Sequence, residues 1–269
     1  MIQMFTNHET EVSFKNDVFF KYALASKDDA SKMILHFIIK EVTGIEPYES
    51  VVLNGEIIPE KMYGKRVILD VHVKDKYGNN YDIEMQMSGN RNAVAKRFEY
   101  YGAKILANQI EEGMDYDILK PVYQIIFLDS YAPNNHDLVD AYQMYNEKGQ
   151  IESNHNLLHR TYIHLPVIND IAKEKNIEAM SSFEKVVYLF KNNKDSVIMK
   201  TEEKVVRLLM EKYEAMKKDK PVFTLAQSIE MGEWQTRMIL EENRKEAFQE
   251  GEEKGIKEGE KKGVGGVLQ

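Results

Sequence analysis

The chain has 269 residues, a formal net charge of −8 and no cysteine. Without cysteine it can form neither disulfides nor thiolate zinc sites, which accords with a cytoplasmic protein, and no apolar run approaches the ~20 residues that a membrane-spanning helix needs. The acidic balance speaks against a protein that binds nucleic acid over its whole surface, although residues 61–104 carry nine Lys and Arg against five Asp and Glu.

Residues 1–13 are polar and lack the basic region and apolar block of a secretory leader, so they are expected to be loosely held. Asp17 opens the first expected helix, with Val18, Phe19, Tyr22 and Leu24 as its apolar contacts. An Asp at a helix start commonly accepts backbone N–H bonds as a cap. Residues 26–29 break the pattern. Residues 30–42 then repeat apolar side chains (Met33, Ile34, Phe37, Ile38, Val42) at helical spacing, with Gly44 as the stop. Residues 51–58 are predicted as a strand with Asn54-Gly55 as a turn or bulge, and 59–64 as a connector.

Residues 66–88 have the period-two pattern of two strands joined by a tight turn. Val67, Leu69, Val71 and Val73 alternate with Ile68, Asp70 and His72; Tyr81, Ile83, Met85 and Met87 alternate with Asp82, Glu84 and Gln86. A loop at 76–78 with Gly78 in the left-handed conformation sets Asp75 against Asn79 and Asp70 against Glu84. Paired residues share a face with Cβ atoms roughly 5 Å apart, whereas a one-residue slip would send one carboxylate to the other side. In this register Asp70, Glu84 and Gln86 form one polar cluster. Two carboxylates that close repel unless they share a proton or bind a cation, and a hard divalent ion such as Mg²⁺ suits them.

Residues 88–90 form a break, and 93–110 are helical by period. Arg97, Tyr101 and Lys104 fall on one face of that helix. Arg97 there suits either a bidentate phosphate contact or a half-buried helix with snorkelling cations and core tyrosines. The near-continuous apolar run at 122–128 predicts a strand buried on both faces. Residues 137–146 fit strand or helix, and 159–166 a strand. The spacing of His155, His159 and His164 does not place all three on one strand face, and no acidic partner is evident, so they are expected to be packed or surface histidines. From residue 170 onward the chain is helical, with apolar spacing at 183–190 and 203–216, a break at Pro221, and one long helix over 225–248 that includes Trp234. Glycines at 251, 255, 259 and 263 stand among charged residues. They mark a low-complexity tail, exposed and partly helical.

The order of these motifs carries a resemblance. Asp-x-x-Phe-Lys at 17–21, Leu-Asp-Val at 69–71, Asp-x-x-Gly at 75–78, Glu-Met-Gln at 84–86 and Arg-x-x-Tyr-Tyr at 97–101 together resemble the Rpn family of recombination-promoting, transposase-like PD-(D/E)xK nucleases. The similarity covers the first half of the chain best. It implies an α/β fold with a restriction-endonuclease-like core, a mixed central sheet flanked by helices, and a C-terminal helical extension. The expected boundaries are 1–168 for the core, 169–249 for the extension and 250–269 for the Gly-repeat tail.

The resemblance implies a Mg²⁺-dependent DNA endonuclease, with Mn²⁺ able to substitute, that hydrolyses phosphodiester bonds and promotes recombination. Asp70 and Glu84 would hold the metal; Asp70, Glu84, Gln86 and Asp17 would be catalytic; Arg97, Lys21 and Tyr101 would contact DNA. Asp17 remains a helix cap, and Lys21 a solvated lysine, on the bottom-up reading. Gln86 stands where the superfamily motif has Lys. Being neutral, it can orient water by hydrogen bonding but cannot act as a useful base. No P-loop, nucleophile elbow, HExxH or dinucleotide fingerprint offers other chemistry. The alternative is a catalytically inactive protein on the same fold, a DNA- or protein-binding module that self-associates as a homo-oligomer; the acidic charge and the repeat tail favour it.

Overall fold

A computed structural model of the chain describes residues 11–57, 67–87, 89–130, 137–152, 156–193 and 197–264. The chain separates into two units, Ser13–Phe223, and the N-terminal residues to Val12 together with Thr224 onward.

In the first unit, helix α1 (Asp17–Ala25) and helix α2 (Asp29–Thr43) come first. Asn16 caps α1, its Oδ1 accepting from Val18 N at 3.0 Å, so the cap expected of Asp17 falls to its neighbour. Asp28 caps α2, accepting from Ser31 N at 2.9 Å. Gly44 ends α2 with a φ of 72°, which turns its N–H onto Lys40 O.

Among the described residues eight strands follow, β1 (Val51–Leu53), β2 (Glu56–Ile57), β3 (Val67–Ile68), β4 (Val71–Lys74), β5 (Asn80–Gln86), β6 (Val122–Leu128), β7 (Val139–Tyr142) and β8 (Leu158–His164). Six of them form one sheet in the order β1-β4-β5-β6-β8-β7, while β2 and β3 pair separately. β5, β6 and β8 run parallel in the middle; β1, β4 and β7 are antiparallel to their neighbours. Parallel neighbours need a long crossover, and helix α3 (Arg91–Ala107) lies between β5 and β6 in the chain. The ambiguous stretch around 140 is the edge strand β7.

The turn of the hairpin has the expected form. Asp75 N donates to Asn79 O at 3.1 Å, Gly78 has a φ of 89°, and Val71 pairs with Ile83. Two expected strands, however, are each broken. Residues 51–57 divide at Asn54-Gly55 between β1, which joins β4, and β2, which joins β3. The first arm of the hairpin divides at Leu69-Asp70. Leu69 N turns to donate to Gly55 O at 2.9 Å. A Cβ at Gly55 would lie 2.3 Å from Leu69 O, so only glycine admits this approach. The expected connector at 59–64 lies outside the described residues.

The two faces of the sheet bury different things. On one, Phe20 of α1 and Phe190 of helix α5 (Ser182–Asn192) pack on Phe127 at ring separations of 5.9 and 5.2 Å. Tyr81, Tyr123 and His159 stack across three strands on that face, 5.5 and 4.6 Å apart. The other face is covered by α3. Val94 and Phe98 meet Ile126 and Leu128, and Ile105 meets Val122. Helices α4 (Ile168–Lys175) and α6 (Lys204–Lys218) complete the first unit; Tyr213 of α6 stacks on Phe14 at 4.8 Å. Helix α7 (Lys220–Val264) starts one residue before the break expected at Pro221 and runs unbroken through the repeat glycines. Pro221 sits in its first turn, where a missing N–H leaves no bond unmade.

The result is a mixed α/β fold, a six-stranded mixed sheet flanked by helices with a helical C-terminal stretch, consistent with a restriction-endonuclease-like architecture. Among the described residues no helix is long and apolar enough to cross a membrane.

Candidate active site

The parallel register sorts side chains under α3 into rows. Asp82, Gln124 and Arg160 make one row; Glu84, Ile126 and Tyr162 the next; Gln86, Leu128 and His164 the third, at the carboxyl ends of the three strands. Residues two apart on a strand share a face, so all nine lie on the side that α3 covers. The first row is hydrogen-bonded end to end. Gln124 Nε2 donates to Asp82 Oδ2 at 3.1 Å, and Arg160 Nε donates to Gln124 Oε1 at 3.2 Å. The helix reaches this row through Gly102, where a Cβ would stand 2.8 Å from Gln124 Oε1.

Asp70 and Glu84 are locked to each other. Asp70 N donates to Glu84 Oε1 at 2.9 Å, and Met85 N donates to Asp70 Oδ2 at 3.0 Å. Each carboxylate takes the place of a backbone acceptor, so the β4–β5 ladder is continued past Val71 by side chains. That is why the expected strand breaks at Asp70. From α1, Lys21 Nζ approaches Asp70 Oδ1 to 3.1 Å. Asp17, one turn earlier on α1, lies near enough for the Asp70 charge to act on it. From α3, Arg97 Nη2 donates to Gln86 Oε1. The same guanidinium lies over Phe98 at 4.6 Å and Tyr101 at 5.6 Å.

This packing leaves negative charge badly solvated. Asp82 is fully buried and Glu84 is 5% exposed. Burial, then the charges of Asp82 and Asp70, hold the Glu84 carboxyl well above the usual carboxylate range. Burial also pushes Asp82 up to about 6, against the pull of the Gln124 amide. Glu84 stands close enough to Asp82 to share a proton with it, and no donor reaches buried Asp82 Oδ1 among the described residues. Burial and the Asp70 charge raise Asp17, with Lys21 opposing. Tyr101 is raised by burial while Arg97 opposes.

The structure thus gathers Asp17, Lys21, Asp70, Glu84, Gln86, Arg97 and Tyr101 around one end of β5. An open groove of about 610 Å³ runs beside them, lined by Gln86, Lys96, Arg97, Tyr100 and Tyr101 among others. Sequence reasoning passed over Asp82, Gln124 and Arg160. Asp82 had a signal, since it lies two residues before Glu84 on the same strand face. Gln124 had a weaker one, a lone amide in an apolar run. Arg160 had none, because only the pairing of β6 with β8 brings it there. The histidines are packed as expected, His159 on Tyr123, but His164 does have an acidic partner. Its Nε2 lies 2.9 Å from Asp140 Oδ2 on β7. His155 is outside the described residues.

Among the described residues no set of three or more His, Asp or Glu side chains is gathered to hold a metal ion. The donor chemistry still suits a hard divalent cation. Asp70 and Glu84 would supply oxygen ligands, and the neighbouring negative charge that adds to burial in raising Glu84 is what such an ion would neutralise.

Searches of curated proteins and of solved structures give no significant match. The family model of the PD-(D/E)XK nuclease family transposases does match, over residues 14–243, a span that includes both hairpin carboxylates and every helix that touches them. That match over most of the chain supports a nuclease-type function: the chain belongs to the PD-(D/E)XK nuclease family transposases.

Proposed function

We propose that the protein is a metal-dependent DNA endonuclease that hydrolyses phosphodiester bonds and promotes recombination, with its centre at Asp70 and Glu84. The observation that carries this reading is the reciprocal lock between the two, 2.9 Å from Asp70 N to Glu84 Oε1 and 3.0 Å from Met85 N to Asp70 Oδ2. It fixes both carboxylates in position before any ligand arrives, as catalysis by preorganised groups requires. Asp70 and Glu84 are the residues to hold Mg²⁺ or Mn²⁺, with Asp17 beside them. Such an ion, when bound, polarises a phosphate oxygen and acidifies water.

The chain's own groups divide the remaining work. Lys21 and Arg97 flank the carboxylates from α1 and α3 and suit the phosphate of the scissile bond; Arg97 offers a planar donor fork. Arg97 also holds Gln86 by its side-chain oxygen, which fixes the amide plane and lets Gln86 align a water without carrying charge. Tyr101 packs under the guanidinium and holds it there. Water oxygen bonds to phosphorus as the bridging P–O bond breaks; the water gives up one proton to solvent and the leaving oxygen takes one from solvent, so the hydrolysis balances.

One observation favours the non-catalytic alternative, in which the fold serves as a self-associating DNA- or protein-binding module. The Lys21 ammonium already sits on Asp70, 3.1 Å from Oδ1, and half-satisfies the charge an ion would meet. Cleavage of supercoiled plasmid separates the readings. Wild type is expected to nick or linearise DNA in Mg²⁺ or Mn²⁺, and Asp70→Asn, which keeps an acceptor for Met85 N, to lose at least ~100-fold of that rate, the scale of several kcal/mol of charge stabilisation. Uncut DNA from wild type in both metals removes the enzyme reading. We also propose self-association through α7, on which Trp234, Ile239, Leu240 and Phe248 are exposed.

A further inference from the structure

A second cavity, about 420 Å³, opens beside the nuclease groove under the far half of the sheet. Val94 and Leu128 form its floor, Tyr142 and Tyr162 an aromatic wall, and Arg91, Arg160 and His164 its polar rim. The tyrosines meet edge to face, 5.7 Å between centroids and 83° between planes. Gly89 and Val94 line both this cavity and the groove at Gln86 and Arg97, so the two are continuous.

Its most telling group is His164. The residue is 4% exposed, its Nε2 lies 2.9 Å from Asp140 Oδ2, and its Nδ1 is buried with no hydrogen-bond partner among the described residues. A buried polar atom without a partner destabilises the fold, and a ligand that supplies one removes that cost. With the proton on Nε2, toward the carboxylate, Nδ1 is an acceptor. His164 also occupies the same row as Gln86, with Leu128 between them. Two strand spacings separate them, roughly 10 Å, which is within reach of a single nucleotide. Ligands of sheets with parallel strands commonly sit at these carboxyl ends.

We propose that this cavity holds an unpaired nucleobase of the DNA strand, carried by the nucleotide next to the phosphate at Gln86 and Arg97; the assignment rests on the nuclease reading. A base has the flat apolar faces that Val94, Leu128 and the tyrosines match, and an edge that can donate to His164 Nδ1. Aromatic side chains with flanking Arg are the usual means of holding single-stranded bases. A phosphate could pair with Arg91 and Arg160 but would leave the apolar floor and the tyrosine wall uncovered, which a base fills. A paired base has its edge already occupied. The protein would thus act where a strand is open or frayed. Arg160 joins the two sites, since it borders the cavity and ends the Asp82–Gln124 row.

The test uses the full chain as Glu84→Gln in Mg²⁺, so that the strand is kept whole, with single-stranded oligodeoxynucleotides carrying one 2-aminopurine at successive positions. One position is expected to show strong quenching from stacking. Adding Tyr142→Ala or Arg91→Ala, both on exposed side chains, is expected to abolish the quench and weaken binding about 5- to 10-fold, the lower range for one stacked base. An abasic residue at that position should match the loss. Binding and quenching unchanged in both variants overturn the proposal, as does loss of the quench on adding millimolar inorganic phosphate, which would mark an anion site. Plasmid cleavage by wild type is scored separately. Cleavage without base-dependent binding overturns the pocket alone. Base binding without cleavage leaves the pocket standing and overturns the nuclease reading.

Discussion

Asp82 shares the cost of this site with Glu84. The donor that reaches Asp82 is a neutral amide, Gln124 Nε2 at 3.1 Å, and the Asp82 carboxyl is pushed from an ordinary 3.8 up to about 6. A raised carboxyl binds its proton more readily in the folded state than in the unfolded chain. Its contribution is therefore harmless below pH 4, turns destabilising as pH rises from 4 to 6, and stays at full cost above that. Asp82→Asn keeps the acceptor and removes the charge. In EDTA at pH 8 the substitution should stabilise the fold by on the order of 2 kcal/mol, read as a higher Tm. The gain should vanish at pH 4. An equal gain at both pH values would mean that packing, rather than charge, is responsible. The sequence offered Asp82 by simple alternation with Glu84 and Gln86; it went unused because Asp70 and Glu84 alone satisfied the turn geometry.

At the scale of elements, what could be read in advance and what could not divides by range. The β4–β5 register followed from one glycine, Gly78, and the loop it closes, because hairpin pairing is fixed locally. The rows that β5 shares with β6 and β8 could not be reached this way, since parallel register is set by how α3 and the later helices pack back on the sheet. Hence Asp70, Glu84 and Gln86 were legible, whereas Gln124, Arg160 and the pairing of His164 with Asp140 were not. The break at Asp70 was hidden for another reason: alternation in sequence persists even where side chains replace the backbone ladder. The closeness of α3 to the first row depends on Gly102. Gly102→Ala would bring a methyl 2.8 Å from Gln124 Oε1, an atom that Arg160 holds in place. It should destabilise by about 1–3 kcal/mol, as overpacking commonly does, despite the better helix propensity of Ala. Denaturant unfolding would show it as a lower midpoint; an unchanged or raised midpoint would show that Gln124 has room to yield.

For the whole molecule, a net charge of −8 and the proposed DNA substrate are reconciled by where the cations stand. Lys21, Lys96 and Arg97 border the carboxylates and the groove beside them, so affinity is concentrated locally and should be salt-sensitive. The second unit raises a separate question. Phe248 is 72% exposed and Trp234 52% exposed on α7, which is much apolar surface for one helix to leave to water. Replacing Trp234, Ile239, Leu240 and Phe248 by Ser is expected to lower the mass measured by sedimentation equilibrium toward the 31.3 kDa of one chain. An unchanged mass would take these residues out of self-association.

The lock at Asp70 has a further consequence for how such a protein can change. Its carboxylate is a rung and, on the proposed reading, also a reagent, since Met85 N leans on one oxygen while Lys21 faces the other. An alanine there removes both roles together, and its effect on activity cannot be told apart from a frayed strand. An asparagine keeps the rung and retires the reagent by exchange of a single atom. Scaffold and chemistry are therefore separable at this position. A lineage could pass from cutting DNA to merely holding it without ever having to refold.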